Sequence, residues 1–221
     1  MQTNPRLHLR LLVILLVFVF TNSMAQEQQA PLKIGPQPDG SVLVPSNQFL
    51  RPAGFQIYLP GRPVDISLLS NGEFLLVKNI KSLDLIRLSD KTLLQSLPYG
   101  KGGSSFTGIC TSKDNRKIYL TEATNKVLIA GWDPNNHLTW GAPIQLPSPS
   151  IGGDPAPGGL VLNSREDKLF VTLSRNNSLA VITMADNAIR EIPVGMAPYT
   201  AILHSDSKAY VSNWGGRRPT P

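Results

Sequence analysis

The chain repeats one pattern of short apolar segments and polar turns. Val77, Leu120, Val171 and Val211 mark equivalent places in it, at intervals of 43, 51 and 40 residues. Each complete unit contains four strand-like segments and begins at a glycine-bearing turn. A period of about 40 to 45 residues with four strands per unit is typical of the β-propeller. We therefore predict an all-β fold, a partial β-propeller of four-stranded antiparallel blades with about three and a half blades.

The predicted strands follow from alternating or continuous apolar runs between Gly, Pro, Asn and Asp clusters. In the first unit they cover residues 64–68, 74–78, 83–88 and 92–97. The long interval between the second and third units contains a Pro- and Gly-rich insertion, residues 141–159. Because proline cannot donate to a central strand, we expect a surface loop there.

A propeller has about four to eight blades, whereas this sequence supplies three units and the first two strands of a fourth. Radially stacked sheets cover one another, so a missing neighbour leaves an apolar face and a strand edge open. We expect such an open blade edge here and self-association through it. We also expect the sequence to be a fragment or truncated product of a longer propeller.

The N-terminus has the features of a signal peptide. An unbroken run of ten apolar residues, 11–20, follows Arg10 and is too short to span a bilayer as a helix. Small residues at Ser23 and Ala25 suit cleavage before Gln26, although an uncleaved anchor is the alternative. We predict a signal peptide at 1–25, an extension with one or two strands at 26–54, the propeller at 55–221, a periplasmic or extracellular location, and no stable membrane span after cleavage.

Charge and cysteine content exclude two further classes. Removing residues 1–25 lowers the net charge from +6 to +4, and the basic residues are scattered, so nucleic-acid binding is not expected. Cys110 is the single cysteine, which rules out an intrachain disulfide. We expect a buried free thiol, with stability coming from the packed core.

The units resemble the YVTN-type propeller repeat, which has Val-Gly and Pro before the first strand and Tyr-Val in the second. The best matches are Val194-Gly195-Met196-Ala197-Pro198 and Tyr210-Val211-Ser212-Asn213, followed by Gly61-Arg62-Pro63 with Ser70-Asn71-Gly72. The turns of units two to four lack the consensus Pro and Gly.

A narrower resemblance covers most of the chain after residue 25. Residues 35–45, 50–54, 60–65 and 210–219 look like the N-terminal half of exported bacterial YncE-like propellers fused to a phosphoesterase domain of the alkaline phosphatase superfamily. In that family the metal-binding catalytic domain follows the propeller. The resemblance therefore implies the fold and an exported binding or scaffold module, not an enzyme.

Sequence motifs for catalysis or metal binding are missing. His8, His137 and His204 have no ligand spacing, and no zinc, calcium, P-loop or nucleophile-elbow motif occurs. We expect no cofactor. The alternative is a propeller-type lactonase or esterase with a divalent cation, but the predicted inner strands supply only Asp65 as an acid.

Blade geometry predicts where a ligand would bind. Loops entering the first strand and loops joining the second strand to the third emerge on one face, around the central channel. We predict a ligand-binding surface there, with Trp and Arg as the residue types that most often carry binding energy. Its candidate residues are Arg62, Asn79, Lys81, Phe106, Glu122, Asn125, Arg175, Asn176, Met196, Trp214 and Arg217.

Overall fold

The computed structural model describes residues 32–69, 72–133, 135 and 137–215. Contacts divide the chain into two units, one ending at Gln56 and the other beginning at Ile57. Within the described ranges, no helix has the length and apolar character needed to cross a membrane. The predicted signal peptide and Arg217 lie outside the described residues.

The described part of the first unit forms a small antiparallel sheet of three short strands, where the sequence predicted one or two. They are β1 (Gly35–Pro36), β2 (Val42–Leu43) and β3 (Phe49–Leu50), in that order in the sheet. Asp39 shapes the turn between β1 and β2, because its Oδ1 accepts hydrogen bonds from both N and Oγ of Ser41.

The second unit contains four antiparallel sheets in sequence order, which confirms the predicted fold class. Blade 1 consists of β4 (Pro63–Leu68), β5 (Phe74–Asn79), β6 (Ser82–Arg87) and β7 (Thr92–Pro98). Blade 2 consists of β8 (Ser104–Thr111), β9 (Lys117–Glu122), β10 (Lys126–Trp132), β11 (Leu138–Trp140) and the short β12 (Ile144–Gln145).

The two remaining sheets continue the same order. Blade 3 consists of β13 (Pro157–Leu162), β14 (Lys168–Leu173), β15 (Ser178–Thr183) and β16 (Ile189–Pro193). Blade 4 contains, among the described residues, β17 (Pro198–Ser205) and β18 (Lys208–Asn213). Apart from β12, which pairs with β10, the strands of each blade pair with their neighbours in the chain, as expected for a propeller blade.

The core lies between successive blades, because consecutive strand residues point to opposite faces of a sheet. On β9, Leu120 packs in a cluster with Leu76 of blade 1. Its neighbour Tyr119 packs in a different cluster with Leu169 of blade 3. Phe170, beside Leu169 on β14, packs in a third cluster with residues of blade 4. The continuous apolar runs in the sequence are therefore strands with both faces covered.

A repeated hydrogen bond joins the second strand of each of the first three blades to the next blade. The residue after Val77, Leu120 or Val171 donates from its side chain to a main-chain carbonyl at the start of the next blade's first strand. The donors and acceptors are Lys78 Nζ to Thr107 O (2.5 Å), Thr121 Oγ1 to Gly158 O (2.8 Å) and Thr172 Oγ1 to Tyr199 O (3.0 Å). We call this place in the repeat the inter-blade donor position.

The insertion of residues 141–159 is more than the surface loop predicted from its prolines. Ile144 pairs with Val127, so β12 adds to the edge of blade 2 beside β11. Ile144 and Leu146 are both 3 % exposed and belong to the core cluster between blades 2 and 3. Apolar residues between the prolines draw this part of the insertion into the core, since burying them is favourable.

Candidate functional site

The first strands of the four blades, β4, β8, β13 and β17, begin around a cavity of about 280 Å³. We call it the mouth cavity. Its lining comes from all four blades: residues at or just before β4, β8, β13 and β17, and the residues that follow β5, β9, β14 and β18. These are the two sets of loops expected to share one face of a propeller. The residues used below are Arg62, Ser105, Phe106, Thr107, Tyr199 and Trp214.

Aromatic side chains form two sides of the mouth cavity. The rings of Tyr199 and Trp214 stack, with centroids 4.7 Å apart and planes inclined by 14°. Phe106 lies on β8, and the guanidinium of Arg62 is 5.9 Å from its ring centroid, within cation–π range. Phe106 and Trp214 are 64 % and 71 % exposed, so both offer ring surface to a ligand.

The position of Arg62 is fixed by Asn79, which is 1 % exposed. Asn79 Oδ1 accepts hydrogen bonds from the main-chain N of Arg62 and of Ile80, both at 2.8 Å. Its Nδ2 donates to Pro60 O at 2.6 Å. A glycine is needed at position 61, where φ is +99° and a Cβ would lie 2.7 Å from Asn79 Oδ1. Asn79 is therefore a support for the site and not part of its surface.

A buried lysine lies behind the wall of the mouth cavity. Lys78 Nζ donates to Ser105 Oγ at 2.8 Å and to Thr107 O, two residues that line the cavity, and to Thr121 Oγ1 at 3.1 Å. Burial lowers the pKa of Lys78 to about 7, while the negative charge of Asp65 acts in the opposite direction. Near neutral pH this amine is therefore part charged and part neutral.

Asp65, the acidic residue on the first strands of the blades, has a structural role. Asp65 Oδ2 accepts from Thr107 Oγ1 at 3.0 Å and from the main-chain N of Gly108 at 2.7 Å, which ties blade 1 to blade 2. Arg62 is the one charged side chain that lines the mouth cavity among the described residues. Across those residues, no group of three or more His, Cys, Asp or Glu side chains could hold a metal ion. The described lining of the mouth cavity thus combines one cationic side chain with aromatic rings.

The structure brings three of the predicted surface residues together in this lining: Arg62, Phe106 and Trp214. Glu122, like Asn79, is buried and accepts a hydrogen bond from Thr124 Oγ1 at 2.7 Å. Met196, 37 % exposed, accepts at its main-chain O from Gly215 N and so supports the segment that carries Trp214.

The other predicted residues lie elsewhere. Arg175 and Asn176 line a separate depression beside residues 148–151. Asn125 Nδ2 donates to Asp154 Oδ1 at 3.3 Å, and Lys81 is exposed outside the mouth-cavity lining. Sequence reasoning missed Tyr199 and Lys78. Aligning the repeats could have found Lys78, because it stands where the next two blades have Thr121 and Thr172.

The sequence predicted Cys110 to be a buried free thiol, and the structure shows it partly buried. Cys110 has no disulfide and packs against the core cluster between blades 2 and 3. Burial raises the pKa of its thiol to about 12, which keeps the thiol protonated and unreactive at neutral pH.

No protein-family model and no curated protein matches the chain. Solved structures do match it, and they are β-propellers. The periplasmic gluconolactonase of Pseudomonas aeruginosa superposes with a TM-score of 0.58 at 20 % identity, over 80 % of this chain and 55 % of that one. A streptogramin B lyase gives a TM-score of 0.54 at 17 % identity, over 85 % and 63 %.

Propellers with other roles also match, over less of this chain. The WD40 repeats of RRP9 give a TM-score of 0.52 at 15 % identity, over 65 % of this chain and 42 % of that one. The chain spans about half, 53 %, of another structure that it matches, a functionally unknown protein from Desulfotomaculum acetoxidans. At such low identities these similarities establish the propeller fold only. The function has to be inferred from the residues of the site.

Proposed function

We propose that this chain is an exported propeller module that binds a small anionic ligand with a planar apolar body in the mouth cavity. One observation carries the proposal. Arg62 is the one charged side chain in the described lining, and it lies among exposed aromatic rings. Asn79 holds its main chain in place. A cavity of about 280 Å³ is suited to a ligand of one or two rings.

Charge supports an anionic ligand. Arg62 presents its guanidinium at the cavity, and a guanidinium pairs with a carboxylate through two parallel hydrogen bonds. Lys78 adds a second cation just behind Ser105. Because its pKa is lowered by burial to about 7, an anion bound nearby would favour its charged form.

The aromatic rings support a planar body. Tyr199 and Trp214 stack on each other, and an outer ring face of this pair forms an aromatic wall of the cavity. Offset-stacked aromatic pairs are worth about 0.5 to 1.5 kcal/mol beyond the area that they bury. A flat ligand lying against this wall would gain that stabilisation, and a bulky aliphatic ligand would not.

The test uses 2-naphthoate as the probe and uncharged 2-naphthalenemethanol as its matched control. Isothermal titration calorimetry of the purified protein should show saturable binding of one naphthoate per chain, at least ten times tighter than the alcohol. Equal affinities would contradict the anionic preference. No saturable binding of either compound would contradict the binding role of this cavity.

The alternative function is a lactonase or esterase that depends on a divalent cation. It is favoured by the names of two structural neighbours, a periplasmic gluconolactonase and a protein described as a 6-phosphogluconolactonase from Bacteroides uniformis. Hydrolysis of a γ-lactone panel by the purified protein, lost on adding a chelator and restored by Ca²⁺ or Zn²⁺, would establish this alternative in place of the binding role.

The exported location is part of the same proposal and depends on the N-terminal sequence. The family resemblance to exported YncE-like propellers supports it. N-terminal sequencing of protein recovered from a bacterial periplasm should begin at Gln26. Recovery of the uncleaved chain from the cytoplasmic fraction would contradict it.

A further inference from the structure

The first strand of blade 2 contains a longer bulge than the first strands of the other blades. On β8, four residues lie between Ser104 and Ile109, the paired residues on either side of the bulge. On β13, two residues lie between the equivalent Pro157 and Leu160, and β4 and β17 have the same spacing as β13. Bulges re-aim side chains and are over-represented beside active sites. Here the bulge carries Ser105 and Phe106 along the wall of the mouth cavity.

The second departure from the repeat lies directly against this bulge. Lys78 occupies the inter-blade donor position, where blades 2 and 3 have Thr121 and Thr172. A hydroxyl is sufficient to join two blades there, whereas burying an amine disfavours its charged form. Lys78 Nζ lies 2.8 Å from the Oγ of Ser105, inside the bulge. The longest bulge and the amine therefore meet in a single contact between side chains.

Ser105 and Lys78 have the arrangement of a nucleophile and its general base. Such a pair needs the hydroxyl and the base within hydrogen-bond reach of each other. Thr107 O and Thr121 Oγ1 accept two hydrogen bonds from Lys78 Nζ, and Ser105 Oγ occupies the third direction. In the neutral amine that third direction holds the lone pair. Because burial lowers the pKa of Lys78 to about 7, most of the amines are neutral at pH 8.

The charged groups on the neighbouring strands leave this amine free to act as a base. Asp65 on β4 is the register partner of Lys78, and its charge partly opposes the effect of burial on the pKa of the amine. Its Oδ2 accepts hydrogen bonds from blade 2 instead of from the amine. On β6, Asp84 accepts from Ser96 Oγ, and on β9, Glu122 accepts from Thr124 Oγ1. The strand β8 itself carries no charged residue.

The position of Ser105 makes it accessible to a molecule in the mouth cavity. Ser105 is 7 % exposed, yet it belongs to the lining of the cavity together with Arg62, Phe106 and Trp214. A carbonyl group held among these residues would lie beside a hydroxyl whose other side faces an amine. The cavity wall is thus arranged for acyl transfer as well as for binding.

We propose that Ser105 and Lys78 form a catalytic pair that hydrolyses neutral esters of small planar aromatic carboxylic acids in the mouth cavity. This inference rests on the proposed function, because the acid released from such an ester is the anionic planar ligand placed beside Arg62. It differs from the alternative function in requiring no metal ion.

The reaction has two steps that share one covalent intermediate. Ser105 Oγ attacks the carbonyl carbon of the ester while its proton passes to Lys78 Nζ. The bond from that carbon to the alcohol oxygen then breaks, and the proton passes from Nζ to the departing oxygen. In the second step, water attacks the acyl carbon and gives a proton to Nζ. The bond from the acyl carbon to Oγ breaks, Oγ recovers its proton from Nζ, and the acid leaves.

The experiment uses 4-nitrophenyl benzoate, an activated ester with two rings. The purified protein at pH 8 should release 4-nitrophenolate with saturation kinetics, in the presence of a chelator, and 2-naphthoate should inhibit the release competitively. Mass spectrometry after acid quenching should find one added benzoyl group on the tryptic peptide of residues 102–113, assigned by fragmentation to Ser105. The value of kcat/KM should rise with pH through the pKa of Lys78, near 7.

Two variants and two controls separate catalysis from folding. Ser105→Ala should abolish both the release and the benzoyl label, and Lys78→Met should lower kcat by about a hundredfold or more. Ser112→Ala is the matched control for the serine, since Ser112 is 6 % exposed and follows β8 outside the cavity lining. Lys81→Met is the control for the lysine, at an exposed position. Both controls should keep the wild-type rate, and circular dichroism checks that all four variants fold.

The outcomes distinguish this inference from the proposed function. Saturable binding of 2-naphthoate without any release of 4-nitrophenolate would overturn the catalytic pair and leave the binding role standing. A benzoyl label on another residue, or an undiminished rate in folded Ser105→Ala or Lys78→Met, would also overturn the pair. Release that a chelator abolishes would overturn it in favour of the metal-dependent alternative. Absence of naphthoate binding would contradict the proposed function itself.

Discussion

Lys78 of blade 1 donates from Nζ to the carbonyl of Thr107 in blade 2, at the place in the repeat where blades 2 and 3 use a threonine hydroxyl. The longer side chain also reaches Ser105 and Thr121. A titratable amine thus replaces a neutral hydroxyl at a buried contact between blades. This substitution makes both the stability of the unit and the charge behind the mouth cavity depend on pH.

The first prediction concerns that pH dependence. Burial lowers the pKa of Lys78 from 10.5 to about 7 in the folded chain. Between these values the unfolded chain binds more protons, so the free energy of unfolding should rise with pH, by at most about 1.4 kcal/mol per pH unit. Below pH 7 both states are protonated and this contribution stays at its minimum. Urea denaturation at pH 6, 7, 8 and 9 measures the slope.

Lys78→Met provides the comparison for this slope, since methionine keeps much of the volume without the charge. The variant should lose the rise between pH 7 and 9, and it should be at least as stable as the wild type at pH 6. Lys81→Met, at an exposed position, should keep the wild-type slope. An unchanged slope in Lys78→Met would show that the amine is not the titrating group.

The second prediction concerns the aromatic wall. Trp214→Ala removes one ring of the stacked pair and should weaken 2-naphthoate binding about tenfold, corresponding to about 1.4 kcal/mol. Trp140→Phe is the matched control, because Trp140 does not line the mouth cavity and its Nε1 donates to Pro98 O instead. Calorimetric titration measures both variants, and equal losses would place the binding site elsewhere.

The third prediction concerns charge selectivity. Arg62→Gln removes the guanidinium while keeping a polar side chain of moderate length, so the preference for 2-naphthoate over 2-naphthalenemethanol should fall to threefold or less. Arg175→Gln should keep the wild-type preference, because Arg175 lines a different depression. The ratio of the two dissociation constants is the measurement, and an undiminished ratio in Arg62→Gln would exclude this arginine as the anion contact.

The fourth prediction concerns the close approach of blades 3 and 4. A Cβ on Gly158 would collide with the main-chain carbonyl of Tyr199 and with Thr172 Oγ1. Gly158→Ala should therefore destabilise the protein by about 1 to 3 kcal/mol, as overpacking usually does. Thermal unfolding gives the comparison with Gly141→Ala, whose nearest contact would be Ile129 O at an ordinary 3.5 Å. Equal stability of the two variants would contradict this account of the contact.

Strand positions could be predicted from the sequence because each blade alternates its faces and separates its strands with turn residues. The interval from Leu120 to Val171 even located the insertion. The packing of Ile144 and Leu146 could not be predicted, since it depends on how the edge of blade 2 meets blade 3. Local sequence held no signal for a strand this short among prolines.

The candidate site could be predicted less completely. Loop order around a propeller identified Arg62, Phe106 and Trp214, but it could not separate residues that face the cavity from those that turn inward. Asn79 and Glu122 turn inward because main-chain and side-chain donors nearby need acceptors. Tyr199 was missed because its role depends on stacking with Trp214 across two segments of blade 4.

The binding account is tested most directly by nuclear magnetic resonance of the ¹⁵N-labelled protein during titration with 2-naphthoate. The chain has three tryptophans, Trp132, Trp140 and Trp214, and each gives one indole N–H signal. The account predicts a saturable shift of the Trp214 signal, with the other two unchanged and with a smaller shift in Arg62→Gln at the same sub-saturating naphthoate concentration. A Trp214 signal that stays in place while naphthoate binds, or shifts confined to Trp132 or Trp140, would contradict it.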